Sequence, residues 1–149
     1  MSMDTKELAA QVAAHMYEED NASRGLGFII DDIAPGYAKL SMTVRGDMVN
    51  GHKLCHGGII FTLADSAFAF SCNSHNQRTV AASADISFLK SAFEGEQLQA
   101  EAQERWREGR NGIYDVRVTN QDGVTIAEFR GKSRSIKGTI LDEEEATNS

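Results

Sequence analysis

The sequence predicts an α+β domain with an antiparallel sheet, and three patterns support this prediction. Segments with alternating apolar and polar residues recur along the chain, as is typical of half-buried strands. Short turns rich in Gly and Asn separate several of these segments, and such connections leave no room for the crossover helices of a parallel sheet. One strongly apolar helix interrupts the series. The predicted order is a helix, two strands, the apolar helix and four further strands.

The first 20 residues predict a helix, followed by a hairpin. Asp4 and Glu7 have the spacing of a capping box. The next turns place an apolar stripe on one helix face, formed by Leu8, Val12 and Met16. Ala34-Pro35-Gly36 predicts a turn between two strands, the second of which covers 37–44. Alternation in this second strand predicts a buried face formed by Ala38, Leu40, Met42 and Val44.

Residues 57–74 read GGIIFTLADSAFAFSCNS and predict the apolar helix, with Asp65 as its one charged residue. A helix that is apolar on nearly every side is normally buried, and an unpaired carboxylate inside it costs several kcal/mol. The helical neighbours of Asp65 are apolar and supply no local cation, being Phe61, Phe68 and Ala69. Two explanations remain open. Either a distant arginine, a backbone amide or a subunit interface satisfies Asp65, or Asp65 is a working carboxylate in a cleft.

A polar, Gly-rich segment, Asn50 to Gly58, leads into this helix. Its last two residues, Gly57 and Gly58, leave the amides of the first helical turn uncovered. These amides lie at the positive end of the helix dipole and suit a developing oxyanion. Asp65 lies about 12 Å further along the axis, at about 1.5 Å per residue. One chain cannot place both groups on one carbonyl carbon, whereas a symmetric dimer could bring Asp65 of one chain near Gly57 of the other.

The later part of the chain predicts four strands and a polar tail. Alternation predicts one half-buried strand with Val80, Ala82, Ala84, Ile86 and Phe88 on one face, and another with Leu98, Ala100 and Ala102. Residues 109–112 and 120–123 predict hairpin turns. The acidic run Asp142 to Glu145 predicts a disordered tail over 141–149.

Composition predicts one globular domain spanning 1–149, since the chain is 41% hydrophobic and 25% charged. The net charge of −7 argues against a nucleic-acid partner, because a phosphate-binding face should be basic. No apolar stretch reaches the length of a membrane span, so no membrane partner is expected. Two cysteines, Cys55 and Cys72, and no recognisable signal peptide predict a cytoplasmic protein without disulfides.

Several segments together resemble the hotdog-fold acyl-CoA thioesterases. In the stretch 48–74, HGG is followed by the Asp of LAD eight residues after its first glycine, and then by AFAF. The resemblance continues in DISFLK at 85–90, GIYDV at 112–116, FRGKS at 129–133 and GTI at 138–140, and covers about 13–140. It implies a long central helix wrapped by a curved antiparallel sheet, with active sites at a dimer interface.

The resemblance also implies hydrolysis of phenylacetyl-CoA or a ring-hydroxylated relative, in phenylacetate catabolism, with CoA thioester as substrate and no separate cofactor. It implies that Asp65 is the general base or nucleophile, that the Gly57 amide polarises the thioester oxygen, and that Asn50 and His56 line the pocket. Contacts with CoA are expected near the ends of two strands, at Phe88, Lys90, Gly131, Lys132, Ser133 and Arg134. The implied assembly is at least a homodimer, and a homotetramer built from two dimers.

Some assignments stay open at this point. Lys132, Arg134 and Lys137 form either a CoA-binding patch or a solvated strand face. Phe61, Phe68 and Phe88 either line a pocket for an aromatic acyl group or belong to the core.

Three other readings compete with thioester hydrolysis. His52, Cys55 and His56 have side chains that zinc prefers, but the contiguous H-x-x-C-H lacks a second spaced pair, and no metal site is expected. Hydration or dehydration of an acyl thioester by His56 and Asp65 is an alternative reaction. An acyl-CoA-binding module without catalysis is the third reading.

Overall fold

A computed structural model describes residues 4–142 of the chain. Its helices are α1 (Thr5–Glu19), the short α2 (Asn21–Gly25) and the central α3 (Gly57–Cys72), with a 3₁₀ turn at Gly46–Met48. Its strands are β1 (Ile29–Ala34), β2 (Tyr37–Thr43), β3 (Thr79–Phe88), β4 (Gln97–Glu108), β5 (Asn111–Thr119) and β6 (Thr125–Ser135). The predicted order of elements is confirmed, and α2 and the 3₁₀ turn are additions to it.

The six strands form one sheet in the order β1-β2-β4-β5-β6-β3, and every neighbouring pair is antiparallel. α3 lies on one face of this sheet, mainly over β2, β4 and β5. The buried side of the helix and the inward residues of the strands share one hydrophobic core. The antiparallel α+β architecture predicted from the sequence pattern is confirmed, and so is the central helix wrapped by the sheet that the family resemblance implies.

The local features predicted for the N-terminal half of the chain are confirmed by the structure. Asp4 caps α1 by accepting a hydrogen bond from the Glu7 backbone N–H at 2.8 Å. Gly36 in the β1–β2 turn has φ +69°, and a Cβ there would lie 2.9 Å from the Cβ of Glu104. Glycine therefore suits this turn for two reasons: it adopts the positive φ without strain, and it has no Cβ to clash with Glu104. The predicted inward residues Ala38, Leu40, Met42 and Val44 are all buried.

β3 differs from the half-buried strand that its alternation predicts. Only Thr79 is buried and Ile86 half-buried, while Val80 and Phe88 are 45% and 53% exposed in the single chain. The reason is position: β3 is an edge strand that pairs only with β6. Such an edge presents unpaired N–H and C=O groups to another chain.

The sheet wraps one side of α3 and leaves a stripe of the helix open. Leu63, Ala67 and Phe68 are buried against the sheet. Phe61, Thr62, Asp65 and Ala69 are half-exposed and recur at helical spacing. Asp65 thus lies on the side of α3 that its own chain does not cover.

Leu141, near the end of the described residues, is anchored in the domain. Leu141 is 5% exposed, and its backbone exchanges hydrogen bonds with the Asn76 side chain at 2.8 and 3.0 Å. The tail predicted over 141–149 lies outside the described residues from 143 onward. Between residues 4 and 142 there is no helix that combines the length and the apolar character needed to cross a membrane.

Candidate active site

α3 begins with an amide that is left open. His56 is the N-cap of the helix, and its Nδ1 accepts a hydrogen bond from the Gly58 N–H at 2.9 Å. Because Nδ1 accepts, the neutral ring carries its proton on Nε2. The Gly57 N–H has no acceptor within residues 4–142. The helix start therefore presents one free donor, at the positive end of the helix dipole.

Asn50 shapes the loop that leads into α3. Its Oδ1 accepts hydrogen bonds from the backbone N–H groups of His52 and Leu54, at 2.9 and 3.2 Å. Its own N–H donates to the Leu54 carbonyl at 2.8 Å. These bonds close the loop and hold it against the helix start, while the Asn50 amide nitrogen has no acceptor in the described part of the chain.

A cleft of about 180 Å³ lies at this helix start, and Asn50, Gly57, Phe88 and Lys90 line it together. The Phe88 ring lies directly against Gly57, because a Cβ at Gly57 would be 3.2 Å from its Cζ. Four of the predicted site residues, separated by up to 40 positions in the sequence, are thus brought to one place. His56 acts on this cleft as the cap of the helix.

Asp65 is half-buried on the open stripe of α3 and does not line this cleft. No hydrogen bond or ion pair joins its carboxyl to any group within residues 4–142, so the explanation by a distant arginine does not hold there. Burial raises the pKa of Asp65, and the nearby carboxylate of Asp20 adds to this effect. A carboxylate with a raised pKa is a stronger base.

Phe88 is the aromatic residue that reaches the cleft. Phe68 is buried and packs on Tyr114 and Phe129, with ring centroids 5.6 and 5.8 Å apart. Phe61 packs edge-on against Phe129 at 5.4 Å. Of the three aromatic residues considered for an acyl pocket, Phe68 therefore belongs to the core.

β6 does not bring together the four residues near its end that were expected to contact CoA. Gly131 and Ser133 are buried, and a Cβ at Gly131 would lie 2.7 Å from the Phe68 ring. Gly131 thus makes room for core packing. Lys132 and Arg134 are exposed and, by the alternation of the strand, point to the opposite face. Within one chain, these four residues therefore lie on two opposite faces of β6.

A basic concavity of about 350 Å³ lies beyond the start of β3. It is lined in part by Gln77, Arg107, Arg110 and Lys137. The salt bridges formed among residues 4–142 do not include these three cations. Sequence reasoning considered Lys137 but missed both arginines, which flank a Gly109 turn and reach Lys137 only through the β5–β6 pairing.

The segment around Cys55 is organised for structure. Burial raises the pKa of the Cys55 thiol to about 11, so the thiol is protonated at neutral pH and is a poor nucleophile. The His56 Nδ1 is already occupied by the Gly58 amide. Over residues 4–142, no group of three or more His, Cys, Asp or Glu side chains is arranged to hold a metal ion.

Comparisons with known proteins identify relatives of this chain. The family model described as "Thioesterase superfamily" matches residues 52–127. The chain is 46% identical over 135 residues to the acyl-coenzyme A thioesterase PaaI of Escherichia coli K12, covering 91% of this chain and 96% of that protein.

Solved structures give the same result. The E. coli PaaI protein from the phenylacetic acid degradation operon matches with a TM-score of 0.90 at 44% identity, over 91% of this chain and 99% of that one. The protein smu.793 of Streptococcus mutans UA159, bound to acetyl-CoA, matches with a TM-score of 0.72 at 25% identity, over 76% and 90% of the two chains.

Proposed function

The chain belongs to the thioesterase superfamily, and we propose that it hydrolyses acyl-CoA thioesters to the free acid and CoA. The observation that carries this proposal is the Gly57 amide, which has no acceptor within residues 4–142 and belongs to a residue that lines a cleft together with Asn50, Phe88 and Lys90. A thioester carbonyl placed there would develop its negative charge against an oriented donor. The similarity to an acyl-coenzyme A thioesterase over 91% of the chain supports the choice of substrate class.

The proposed site needs two chains. Asp65 lies on the open stripe of α3. β3 is an exposed edge strand, and its Phe88 ring lies against Gly57 at the start of α3. Pairing of two β3 edges, with the open helix stripes facing each other, would cover both surfaces and bring Asp65 to the cleft of the other chain. We therefore propose a homodimer as the minimal active unit, and a homotetramer of two dimers as the assembly.

The chemistry follows from the two groups. Asp65 either removes a proton from a water that attacks the thioester carbon, or attacks that carbon itself and forms an anhydride that water then hydrolyses. In both routes the carbonyl oxygen gains charge against the Gly57 amide, and the C–S bond breaks when the intermediate collapses. The CoA thiolate is a good leaving group, so the site requires no separate general acid.

The phosphates of CoA have two candidate contacts. Lys90 borders the cleft itself. If β3 pairs antiparallel with its copy, the Thr79 end of one strand lies beside the Phe88 end of the other. The basic concavity beyond Thr79, with Arg107, Arg110 and Lys137, then comes close to the partner's cleft. We propose that it binds the nucleotide phosphates of the substrate held there.

For the acyl group we propose phenylacetyl-CoA or a ring-hydroxylated relative, within phenylacetate catabolism. Phe88 is 53% exposed at the mouth of the cleft and offers an aromatic surface to such a ring. The relative at TM-score 0.90 comes from a phenylacetic acid degradation operon. We also propose a cytoplasmic location, because Cys55 and Cys72 are free thiols and reducing compartments maintain thiols.

A panel of acyl-CoA thioesters tests the proposal. Release of free thiol from phenylacetyl-CoA and its hydroxylated relatives, faster than from straight-chain acyl-CoAs, is the expected result. Loss or gain of enoyl absorbance without thiol release would indicate hydratase chemistry. Thermal stabilisation by acyl-CoA without turnover would indicate a binding module. Light scattering on the same sample measures the assembly.

A further inference from the structure

The junction between α1 and α2 is built around one carboxylate. Asp20 ends α1 and caps α2, and its two oxygens accept hydrogen bonds from Ser23, one from the backbone N–H at 2.9 Å and one from Oγ at 2.6 Å. The carboxylate is half-buried and is held in one orientation by this pair of bonds.

The same serine reaches the central helix. Ser23 is fully buried, and its Oγ lies 2.8 Å from the Oγ of Ser66, which is also buried. Ser23 has a single O–H and donates it to Asp20, so the bond between the serines runs from the Ser66 O–H to the Ser23 oxygen. A directed chain therefore leads from Ser66 through Ser23 to Asp20. Ser66 is the residue that follows Asp65 on α3.

Asp20 also acts on Asp65 through space. After burial, it is the second cause that raises the pKa of the Asp65 carboxyl. No charged group on the strands beneath α3 adds to these two causes within residues 4–142. On α3 itself the facing titratable group is the Cys72 thiol, whose pKa is raised to about 12 by burial and, to a smaller extent, by Asp65.

We propose that Asp20 is a positioning residue for hydrolysis: through Ser23 and Ser66 it holds the turn of α3 that carries Asp65 on the open side of the helix. This inference rests on the proposed function. All four residues belong to one chain, so the arrangement is complete before any partner binds. The junction of the N-terminal helices thereby contributes to the placement of Asp65, which lies 45 positions after Asp20 in the sequence.

Asp20→Asn isolates the charge. Asn is as good an N-cap as Asp and can still accept from the Ser23 N–H, while the Ser23 and Ser66 hydroxyls can reverse direction to meet the new NH₂ group. The expected result is a shift of the acid limb of the kcat/KM profile towards lower pH by about 0.5 to 1 unit, with about a 2- to 10-fold loss on the plateau. KM for acyl-CoA is expected to stay the same.

Asp4→Asn is the matched control. Asp4 caps the other end of α1, by a 2.8 Å bond from the Glu7 N–H, and the substitution removes the same charge from the same kind of cap. This variant is expected to keep the wild-type pH profile. A shift of equal size in both variants would show a general charge effect and overturn the assignment to Asp20.

Ser66→Ala tests the hydrogen-bonded chain without changing any charge. The expected result is a several-fold lower kcat with an unmoved acid limb. An unchanged kcat would overturn the positioning step, and an unmoved limb in Asp20→Asn would overturn the electrostatic step. Both results presuppose thiol release by the wild-type protein; its absence would instead defeat the proposed function.

Discussion

The two ends of α3 differ in whether their polar groups have hydrogen-bond partners. At the start, two glycines replace side chains, and the Gly57 N–H has no acceptor within residues 4–142. At the C-terminal end of the helix, polar side chains are buried and form hydrogen bonds. Asn73 donates to the carbonyls of Ala69 and Thr79 and accepts from the Thr79 N–H. Ser74 accepts from the Gly36 N–H and donates to the Ser71 carbonyl.

This difference separates function from stability along one helix. A buried polar group is stabilising when its partners are satisfied and costly when they are removed. The C-terminal end of α3 therefore fixes the helix to the β1–β2 turn and to the start of β3. With that end fixed, the N-terminal end can keep an unsatisfied donor at a residue that lines a cleft. Asp65 lies between the two ends and, like the Gly57 amide, has no hydrogen-bond partner within residues 4–142.

Replacement of Asp65, the unpaired acid, is expected to have the largest effect on activity. Asp65→Asn should lower kcat by about 10²- to 10⁴-fold, because the group that activates water or attacks the thioester is lost. Binding of the acyl-CoA should persist. Thiol release and a thermal-shift titration with the substrate measure the two properties. Hydrolysis at a near wild-type rate would contradict the role of Asp65.

The same variant also tests how the Asp65 carboxylate affects the stability of the folded state. The pKa of Asp65 is raised on folding, so the ionised carboxylate is a cost to the folded state at pH values above the folded pKa, and that cost disappears as the pH falls. Asp65→Asn should therefore keep or raise the melting temperature at neutral pH. A clear loss of stability would indicate that Asp65 has a structural partner.

Matched asparagine substitutions sharpen the contrast between the two ends. Asn73→Ala should destabilise the fold by about 1 to 3 kcal/mol, since the buried Thr79 N–H loses its acceptor. Asn50→Ala should cost less stability, because water can reach the exposed His52 and half-buried Leu54 amides, and should lower kcat/KM instead. Urea unfolding and thiol release on both variants decide the comparison, which would fail if the effects were reversed.

The basic concavity beyond the start of β3 lies near the C-terminal end of α3. Substitutions there test whether this part of one chain binds the substrate held in the cleft of another. The double variant Arg110→Gln with Lys137→Gln should raise KM for acyl-CoA about 3- to 10-fold, which corresponds to about 0.7 to 1.4 kcal/mol, with kcat unchanged. An acyl-N-acetylcysteamine thioester carries no phosphates and should be hydrolysed equally by variant and wild type.

Lys6→Gln with Arg24→Gln is the control for net charge. Both side chains are exposed on α1 and α2, away from the concavity. This pair should leave KM for acyl-CoA unchanged. An equal rise in KM in both double variants would assign the effect to overall charge, and no rise in either would remove the concavity from substrate binding.

Much of the fold was readable from local pattern, because the signals involved are local. The Asp4 cap, the Pro35-Gly36 turn and the inward face from Ala38 to Val44 each depend on neighbours within a few residues. The HGG and LAD motifs likewise give the start of α3 and the position of Asp65 on it. The same patterns do not say which side of α3 stays open or that β3 is an edge.

Features that depend on distant contacts were missed or misplaced. The Ser23–Ser66 bond joins residues 43 positions apart, and nothing in either segment predicts it. Gly131 lies in a motif that resembles a ligand contact, yet its missing side chain makes room for Phe68. Such residues are identified only when tertiary packing shows what the space around them holds.

The smallest expected effect concerns Glu104, which ties the end of α3 to the sheet. Its Oε1 accepts from Tyr114 Oη at 2.7 Å and lies 2.9 Å from the His75 Nε2. Burial alone would raise the pKa of Glu104, but the bonds from Tyr114 and His75, together with Arg107, outweigh burial and lower it. A lowered pKa contributes stability above the unfolded-state pKa, and that contribution is lost as the pH falls through the folded-state value.

Glu104→Gln should therefore destabilise the protein by about 1 kcal/mol at neutral pH, the usual size of one hydrogen-bond contribution, and leave thiol release unchanged. The deficit should shrink in acid, where the wild-type carboxyl is protonated as well. Urea unfolding at pH 7 and at about pH 2.5, well below the ordinary pKa of a glutamate, measures it at one protein concentration. The exposed Glu108→Gln is a control that should show no deficit at either pH. A deficit of constant size would mean that the shape of the side chain, and not its charge, holds the stable end of α3 to the sheet.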